Sequence, residues 1–189
     1  DLEENFGFKK NAIVGTSSAR RKSQLLAYRE DIEIKDIRGN VPTRIEKLRN
    51  GDFDAIMLAA AGVRRLKLDV SDLEVRTLDP TQFIPAPAQG VLGLQIREDD
   101  EELASILEEL NSKKVQTEIN VERGILNRLE GGCQLPLGAY CVENNGKFDV
   151  WVSFSKEWNQ LPIHAQYESE DSENLAVVIV EDLLAEMND

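Results

Sequence analysis

The chain has 189 residues, of which 41% are apolar and 30% charged, and its acidic side chains outnumber the basic ones by 35 to 22. This composition supplies a core and excludes wholesale disorder, and no run approaches the roughly 20 apolar residues of a membrane-spanning helix. The net charge of -13 disfavours a protein that coats nucleic acid or anionic lipid, so we expect a soluble, cytoplasmic protein that binds neither nucleic acid nor membrane.

The charge is unevenly distributed along the chain. Residues 1–97 hold 16 basic and 14 acidic side chains, whereas residues 98–189 hold 6 and 21. The basic surplus is concentrated in residues 9–65, with 13 basic against 7 acidic side chains. A run of charges is usually a solvated surface, so the positions of the arginines must decide whether they form a site.

The first part of the chain alternates strand and helix patterns. After a polar tail over residues 1–8, short apolar runs predict strands at residues 12–14 and 32–37 and a longer buried strand over residues 54–61. Helices are expected at residues 19–28 and 42–50, the second begun by a capping box of Thr43 and Glu46. Alternating strands and helices predict a parallel α/β sheet, and we assign residues 9–84 to this domain.

The second part has a different pattern. Prolines break regular structure at residues 83–87, after which residues 91–97 alternate like a strand and residues 99–110 read as a helix, so residues 85–112 are taken as a linker with one strand and one helix. A helix over residues 115–129, a hairpin around Asn144-Asn145-Gly146, a strand at residues 164–167 and a helix over residues 172–187 follow. This pattern predicts that residues 113–189 form a small α+β domain, in which a helix is followed by a three-stranded antiparallel sheet and then by a second helix.

Polar and basic residues follow the first two predicted strands. Because the carboxyl ends of parallel strands share one edge of a sheet, these residues are expected to meet in one crevice. They are Thr16, Ser17, Ser18, Arg20 and Arg21 after the first strand, and Arg38 and Arg44 around the second turn, with Arg64 and Arg65 as a possible extension. Guanidinium groups grip carboxylates and phosphates in pairs of hydrogen bonds, so the pattern predicts a site for one of these anions. Ordinary helix capping explains the three hydroxyls equally well.

Two cysteines and one histidine complete the candidate residues. Cys133 follows two glycines in a turn after a helix, which suits an accessible thiol, whereas Cys141 lies in a predicted strand and reads as a buried hydrophobe. His164, alone in an alternating segment, is interpreted as structural. Metal sites and Ser-His-Asp chemistry are poorly supported, and we predict no metal.

Five motifs in this order resemble the porphobilinogen deaminase (hydroxymethylbilane synthase) family. They are residues 15–21 (GTSSARR), 38–44 (RGNVPTR), 58–65 (LAAAGVRR), 87–90 (PAQG) and 129–134 (LEGGCQ). Ala88 stands where many members of the family have glycine. The resemblance implies a transferase of tetrapyrrole (haem) biosynthesis that condenses four porphobilinogen molecules into hydroxymethylbilane and releases ammonia. It also implies an α/β domain like one lobe of a periplasmic binding protein, and a monomer.

The resemblance further implies roles for individual residues. A dipyrromethane cofactor would be attached through a thioether to Cys133. The acetate and propionate groups of cofactor and growing polypyrrole would be held by Thr16, Ser17, Ser18, Arg20, Arg21, Arg38 and Arg44. Arg65 and Gln89 would contribute to substrate binding.

One part of the family pattern has no counterpart here. The family's first domain, which carries a catalytic aspartate, precedes the first motif, and nothing in residues 1–14 matches it. The sequence therefore predicts a fragment of a longer protein, with no catalytic aspartate of its own, little or no activity alone, and an unpaired edge strand at residues 91–97. The alternative is a non-catalytic module that binds small polycarboxylates, which explains the arginines but not Cys133.

Overall fold

A parallel three-stranded sheet forms the centre of the first half of the molecule. The computed structural model describes residues 6–129 and 134–187. Strands β1 (Ile13–Gly15), β2 (Glu33–Lys35) and β3 (Ala55–Ile56) lie in the order β2-β1-β3. Helix α1 (Ala19–Tyr28) joins β1 to β2, and α2 (Val41–Arg49) joins β2 to β3. With the short helix α3 (Ala60–Arg65) after β3, these elements form what we call the α/β lobe, residues 6–82.

The core of the α/β lobe lies beneath α1 and includes the beginning of the described chain. Val14 and Leu25 are fully buried there. Phe6 and Phe8, which the sequence assigns to a tail, instead pack into this core, where Phe6 meets Phe83 edge to face. A tail is predicted because the neighbours of these two residues in the sequence are polar. The structure differs because burying a large aromatic ring in a core is energetically favourable.

Two details of the predicted helices and strands differ in the structure. The expected eight-residue strand over residues 54–61 is a two-residue strand that gives way to α3, because alanine-rich segments also favour helix. The capping box of Thr43 and Glu46 is wrong: Asn40 is the N-cap of α2, and its side-chain oxygen accepts a hydrogen bond from the Thr43 backbone N–H at 2.9 Å. Gly39, with φ of +117°, makes the turn before this cap possible.

A non-helical segment, residues 83–89, passes between the two halves of the molecule, and we call it the strap. The strand predicted at residues 91–97 is absent, since no neighbouring strand pairs with it among the described residues. Leu92 and Leu94 are exposed there by 81% and 64%. Helix α4 (Glu101–Glu108) follows and buries none of its residues.

The second half of the molecule, which we call the α+β lobe (residues 113–187), has the predicted order. Helix α5 (Lys113–Arg128) precedes an antiparallel sheet of β4 (Leu137–Asn144), β5 (Lys147–Phe154) and β6 (Ile163–Ser169), and α6 (Leu175–Glu186) closes it. The two helices pack against one face of the sheet, with Ile125, Val150, Ile179 and Leu183 fully buried between them. Cys141, 2% exposed, belongs to this core, which confirms the sequence interpretation.

Candidate functional site

Hydroxyl groups tie together the first two turns at the carboxyl edge of the parallel sheet. The Ser17 hydroxyl donates to the Ile37 carbonyl at 2.9 Å and accepts from the Ile37 N–H at 3.0 Å, so the turn after β1 is joined to the turn after β2. Ser18 caps α1 by accepting from the Arg21 N–H, and Thr16, 1% exposed, accepts from the Ser18 N–H. Only Ser18 caps the helix, as the capping interpretation expects, whereas Ser17 and Thr16 fix the turns.

Three of the predicted arginines lie on this edge. The Arg21 guanidinium donates to the Met57 carbonyl, just after β3, at 2.7 Å, and Arg44 donates to the Gly39 carbonyl at 2.8 Å. Arg38 is exposed in the turn between them. Lys47, which sequence reasoning missed, adds a fourth cation by donating to the Arg38 carbonyl at 3.2 Å. Backbone carbonyls neutralise none of this charge, so the edge stays strongly cationic.

Arg20 lies deeper, against the strap. It is 6% exposed and donates to the Ile84 carbonyl at 2.7 Å and to the Gln89 side-chain oxygen at 3.2 Å. Burial and, secondarily, repulsion from Arg21 lower the pKa of Arg20 to about 9. Burial and repulsion from Arg44 likewise lower the pKa of Arg21. These repulsions indicate that the guanidinium groups are neighbours, and each remains charged at pH 7.

Arginines at this edge differ from most arginines elsewhere in the lobe in their partners. Within residues 6–129 and 134–187, Arg29, Arg49 and Arg76 each pair with a carboxylate at 2.7 Å. The same described residues supply no carboxylate within ion-pair distance of Arg20, Arg21, Arg38 or Arg44. Burying the cations of Arg20 and Arg21 without a carboxylate partner costs free energy, so such a cluster is typical of a site that receives an anion from outside.

The remaining candidates are not joined to this cluster by any described contact. Arg64 and Arg65 are exposed in the last turn of α3, whose Gly62 lies close to Val41 at the start of α2. Cys133 lies outside the described residues. Burial, followed by the charges of Glu122 and Glu118, raises the pKa of the other thiol, Cys141, to about 12. In the part of the chain that the structure describes, no group of three or more His, Cys, Asp or Glu side chains could hold a metal ion.

Two family models together match most of the chain. Residues 3–105 match the family model described as porphobilinogen deaminase, dipyromethane cofactor binding domain, and residues 116–187 match the model of the porphobilinogen deaminase C-terminal domain. The chain belongs to the porphobilinogen deaminase family. The first match ends within α4 and the second begins within the first turn of α5, near the start of the α+β lobe.

Curated relatives in this family cover most of the chain. A porphobilinogen deaminase of Maridesulfovibrio salexigens is 40% identical over 176 residues, which is 92% of this chain and 56% of that protein. The enzyme of Streptococcus sanguinis is 39% identical over 92% of the chain, and that of a Nitratiruptor species is 49% identical over 71% of it. The chain spans about half the length of these relatives, 43% to 57%.

Membership of the family confirms the resemblance drawn from the five motifs, while the individual site residues keep the status of predictions. The structure adds partners that no motif revealed, above all Gln24, whose amide bonds to Ile84. One signal was available in the sequence: Gln24 lies four residues after Arg20, hence on the same face of α1. No helix among the described residues is long and apolar enough to cross a membrane.

Proposed function

We propose that this chain holds the polypyrrole during the assembly of hydroxymethylbilane from four molecules of porphobilinogen. Each condensation forms a carbon–carbon bond between two pyrroles and releases the amino group of the incoming one as ammonia. The observation that carries the proposal is the cluster of Arg20, Arg21, Arg38 and Arg44, without described carboxylate partners, in a chain of the porphobilinogen deaminase family.

The chemistry of the arginines fits the proposed ligand. Every pyrrole unit carries one acetate and one propionate, so a dipyrromethane brings four carboxylates and the growing chain brings more. A guanidinium fork binds a carboxylate in a bidentate manner and stays charged when desolvated, which an ammonium does less well. The exposed Arg38, with Lys47 beside it, is suited to carboxylates that enter and move as the chain lengthens.

The residues present also fit the dipyrromethane cofactor. We propose that Cys133 holds it through a thioether; when bound, it offers the terminal pyrrole carbon to which each new unit is added. Arg20, Arg21, Arg38 and Arg44, with the turn of Thr16, Ser17 and Ser18, would hold its carboxylates, and Arg65 and Gln89 those of the substrate. Bidentate contacts of this kind orient the pyrrole as well as retaining it.

Predictions about the fold likeness, the cellular location and the partners of the chain belong with this proposal. The order β2-β1-β3 with helical crossovers supports the likeness of the α/β lobe to one lobe of a periplasmic binding protein. We also propose a cytoplasmic monomer whose partners are porphobilinogen and the growing polypyrrole, with no nucleic acid. A purely polycarboxylate-binding module is not favoured, because the family match continues through the α+β lobe.

The experiment is an intact-mass measurement after incubation with hydroxymethylbilane, whose pyrroles are already joined, so that the adduct does not rely on condensation activity, of which this chain alone is expected to have little or none. We expect the wild-type chain to gain the mass of a polypyrrole and a Cys133→Ser variant to gain nothing. Cys141→Ser is the matched control, since that thiol is buried, and should keep the adduct. An adduct that persists in Cys133→Ser, or that disappears in Cys141→Ser, contradicts the proposed attachment.

A further inference from the structure

The strap is fixed to the α/β lobe by one buried amide. Gln24, fully buried in α1, donates from Nε2 to the Ile84 carbonyl at 2.9 Å and accepts from the Ile84 N–H at Oε1 at 2.7 Å. A side-chain amide that satisfies both backbone groups of one residue fixes that residue's position and orientation. The residues lie 60 positions apart in the chain, so this contact sets tertiary structure rather than a local turn.

The same carbonyl receives the Arg20 guanidinium. Ile84 O therefore accepts two hydrogen bonds, from Arg20 Nη1 at 2.7 Å and from Gln24 Nε2 at 2.9 Å, which occupies both of its lone pairs. Arg20 makes its second contact with Gln89, also on the strap. The direction of the guanidinium fork thus depends on where Gln24 holds Ile84.

The strap is held from the other side as well, so a change at Ile84 has few ways to relax. The Ala139 N–H donates to the Pro85 carbonyl at 3.0 Å, and the Ala88 N–H donates to the Glu122 carboxylate at 2.6 Å. Gly138 approaches so closely that a Cβ there would lie 2.8 Å from the Ile84 oxygen.

We propose that Gln24 is a positioning residue for carboxylate binding, which acts by fixing Ile84 and thereby the direction of the Arg20 guanidinium and of the Gln89 side chain. The inference rests on the proposed function, in which Arg20 and Gln89 hold carboxylates. Two of the five N–H donors of Arg20 are used on the strap, and the others form a fork only when those two are fixed. Gln24 itself is buried behind the strap and does not bind the ligand.

A double-mutant cycle separates this role from a contribution to stability alone. The binding of a synthetic dipyrromethane with acetate and propionate side chains is measured by calorimetry for the 189-residue chain and its Gln24→Met variant, below the melting temperature of each. We expect the dissociation constant to rise roughly tenfold in Gln24→Met. Gln82→Met, an exposed glutamine two residues before Ile84, is the control and should bind like wild type.

The second arm of the cycle uses Arg20→Lys, which keeps the charge and loses the fork. If Gln24 acts through the fork, Gln24→Met in the Arg20→Lys background should cost less than twofold. An equal cost in both backgrounds overturns the inference while leaving the proposed function intact, whereas absence of binding by the wild-type chain overturns both. Should Gln24→Met fail to fold, Gln24→Asn takes its place, because it keeps a neutral amide that is one methylene too short to bond both backbone groups of Ile84.

Discussion

Arginines in the α/β lobe fall into two groups that only their contacts distinguish. Arg49 forms two bonds to Asp72 and one to Glu46, and these carboxylates raise the pKa of its guanidinium. Arg20 and Arg21 are drawn into the protein without such partners, and burial lowers their pKa. Because an unpaired buried charge opposes folding, the second group is better explained by a ligand than by stability.

The first prediction concerns the two arginines around the turn after β2. Arg38→Ala and Arg44→Ala should each weaken the binding of a dipyrromethane tetracarboxylate by about 1.5 to 3 kcal/mol, the usual worth of a charge-assisted hydrogen bond. Calorimetric titration at constant salt measures the loss. Arg97→Ala is the control, because that side chain is 84% exposed and paired with Asp100. Equal affinities for all four proteins would refute the carboxylate site.

Cys141 gives a second prediction at the scale of one residue. Its thiol is in the core and its pKa lies near 12 through burial and the neighbouring carboxylates, so almost no thiolate exists at neutral pH. In a Cys133→Ser variant, iodoacetamide at pH 8 should label the folded chain very slowly and the urea-unfolded chain fully, as read by mass. Rapid labelling of the folded variant would contradict this assignment.

At the scale of elements, local patterns predict the helices well and the contacts between elements poorly. Helix α1 has the predicted bounds because its sequence combines a serine cap with good helix formers. The alanine-rich run after β3 satisfies both strand and helix preferences, and only the short pairing with β1 decides where the strand ends. The carboxyl edge of the sheet was predictable from topology, whereas the bond from Gln24 to Ile84 joins residues too distant for any sequence pattern.

The strap contains a strained residue that gives a third prediction. Ala88 has φ of +59°, a conformation that costs a residue with a Cβ roughly 1 to 2 kcal/mol and costs glycine nothing. Its N–H nevertheless holds the Glu122 carboxylate, so the strap keeps this shape. Ala88→Gly should raise the free energy of unfolding by about 0.5 to 1 kcal/mol, after the greater backbone entropy of glycine is subtracted.

The matched control for this prediction is Gly90→Ala. Gly90 has φ of +93° with open space around it, so an added methyl group should destabilise through the backbone alone. Urea unfolding followed by circular dichroism measures both variants. The strain argument fails if Ala88→Gly lowers stability or if Gly90→Ala leaves it unchanged.

At the scale of the whole molecule, the net charge of -13 is the sum of two unlike regions. The acidic residues of α4 are exposed to solvent, whereas the arginines at the edge of the parallel sheet are drawn together by backbone contacts. Such a separation lets an acidic protein keep a locally positive site, because screening limits the repulsion between the ligand and distant carboxylates to about 8 to 10 Å. The overall charge therefore does not exclude a small polyanion.

The two lobes also touch through side chains outside the strap. Lys22 lies 4.9 Å from the centre of the Trp158 ring, and Tyr28 stacks on His164 with ring centres 5.9 Å apart. The His164 Nε2 atom lies 3.0 Å from the Ser153 hydroxyl. The contacts of Lys22 with Trp158 and of Tyr28 with His164 join α1 to the α+β lobe. The helix that carries Arg20 and Arg21 therefore also forms part of the junction between the lobes.

This junction gives the fourth prediction, a pH dependence. His164 is solvent-exposed as a whole residue, but its ring stacks on Tyr28, and this partial loss of water lowers the pKa of the imidazole below its ordinary value of 6.5. The unfolded chain therefore takes up a proton before the folded chain does as pH falls. Stability is therefore unaffected above about pH 7 and is lost as pH drops through 6.5 toward the folded pKa. Urea unfolding at pH 7.5 and 5.5 should show a larger loss for wild type than for His164→Gln, which cannot titrate. Equal losses in the two proteins would mean that the imidazole is as solvated at the junction as in the unfolded chain.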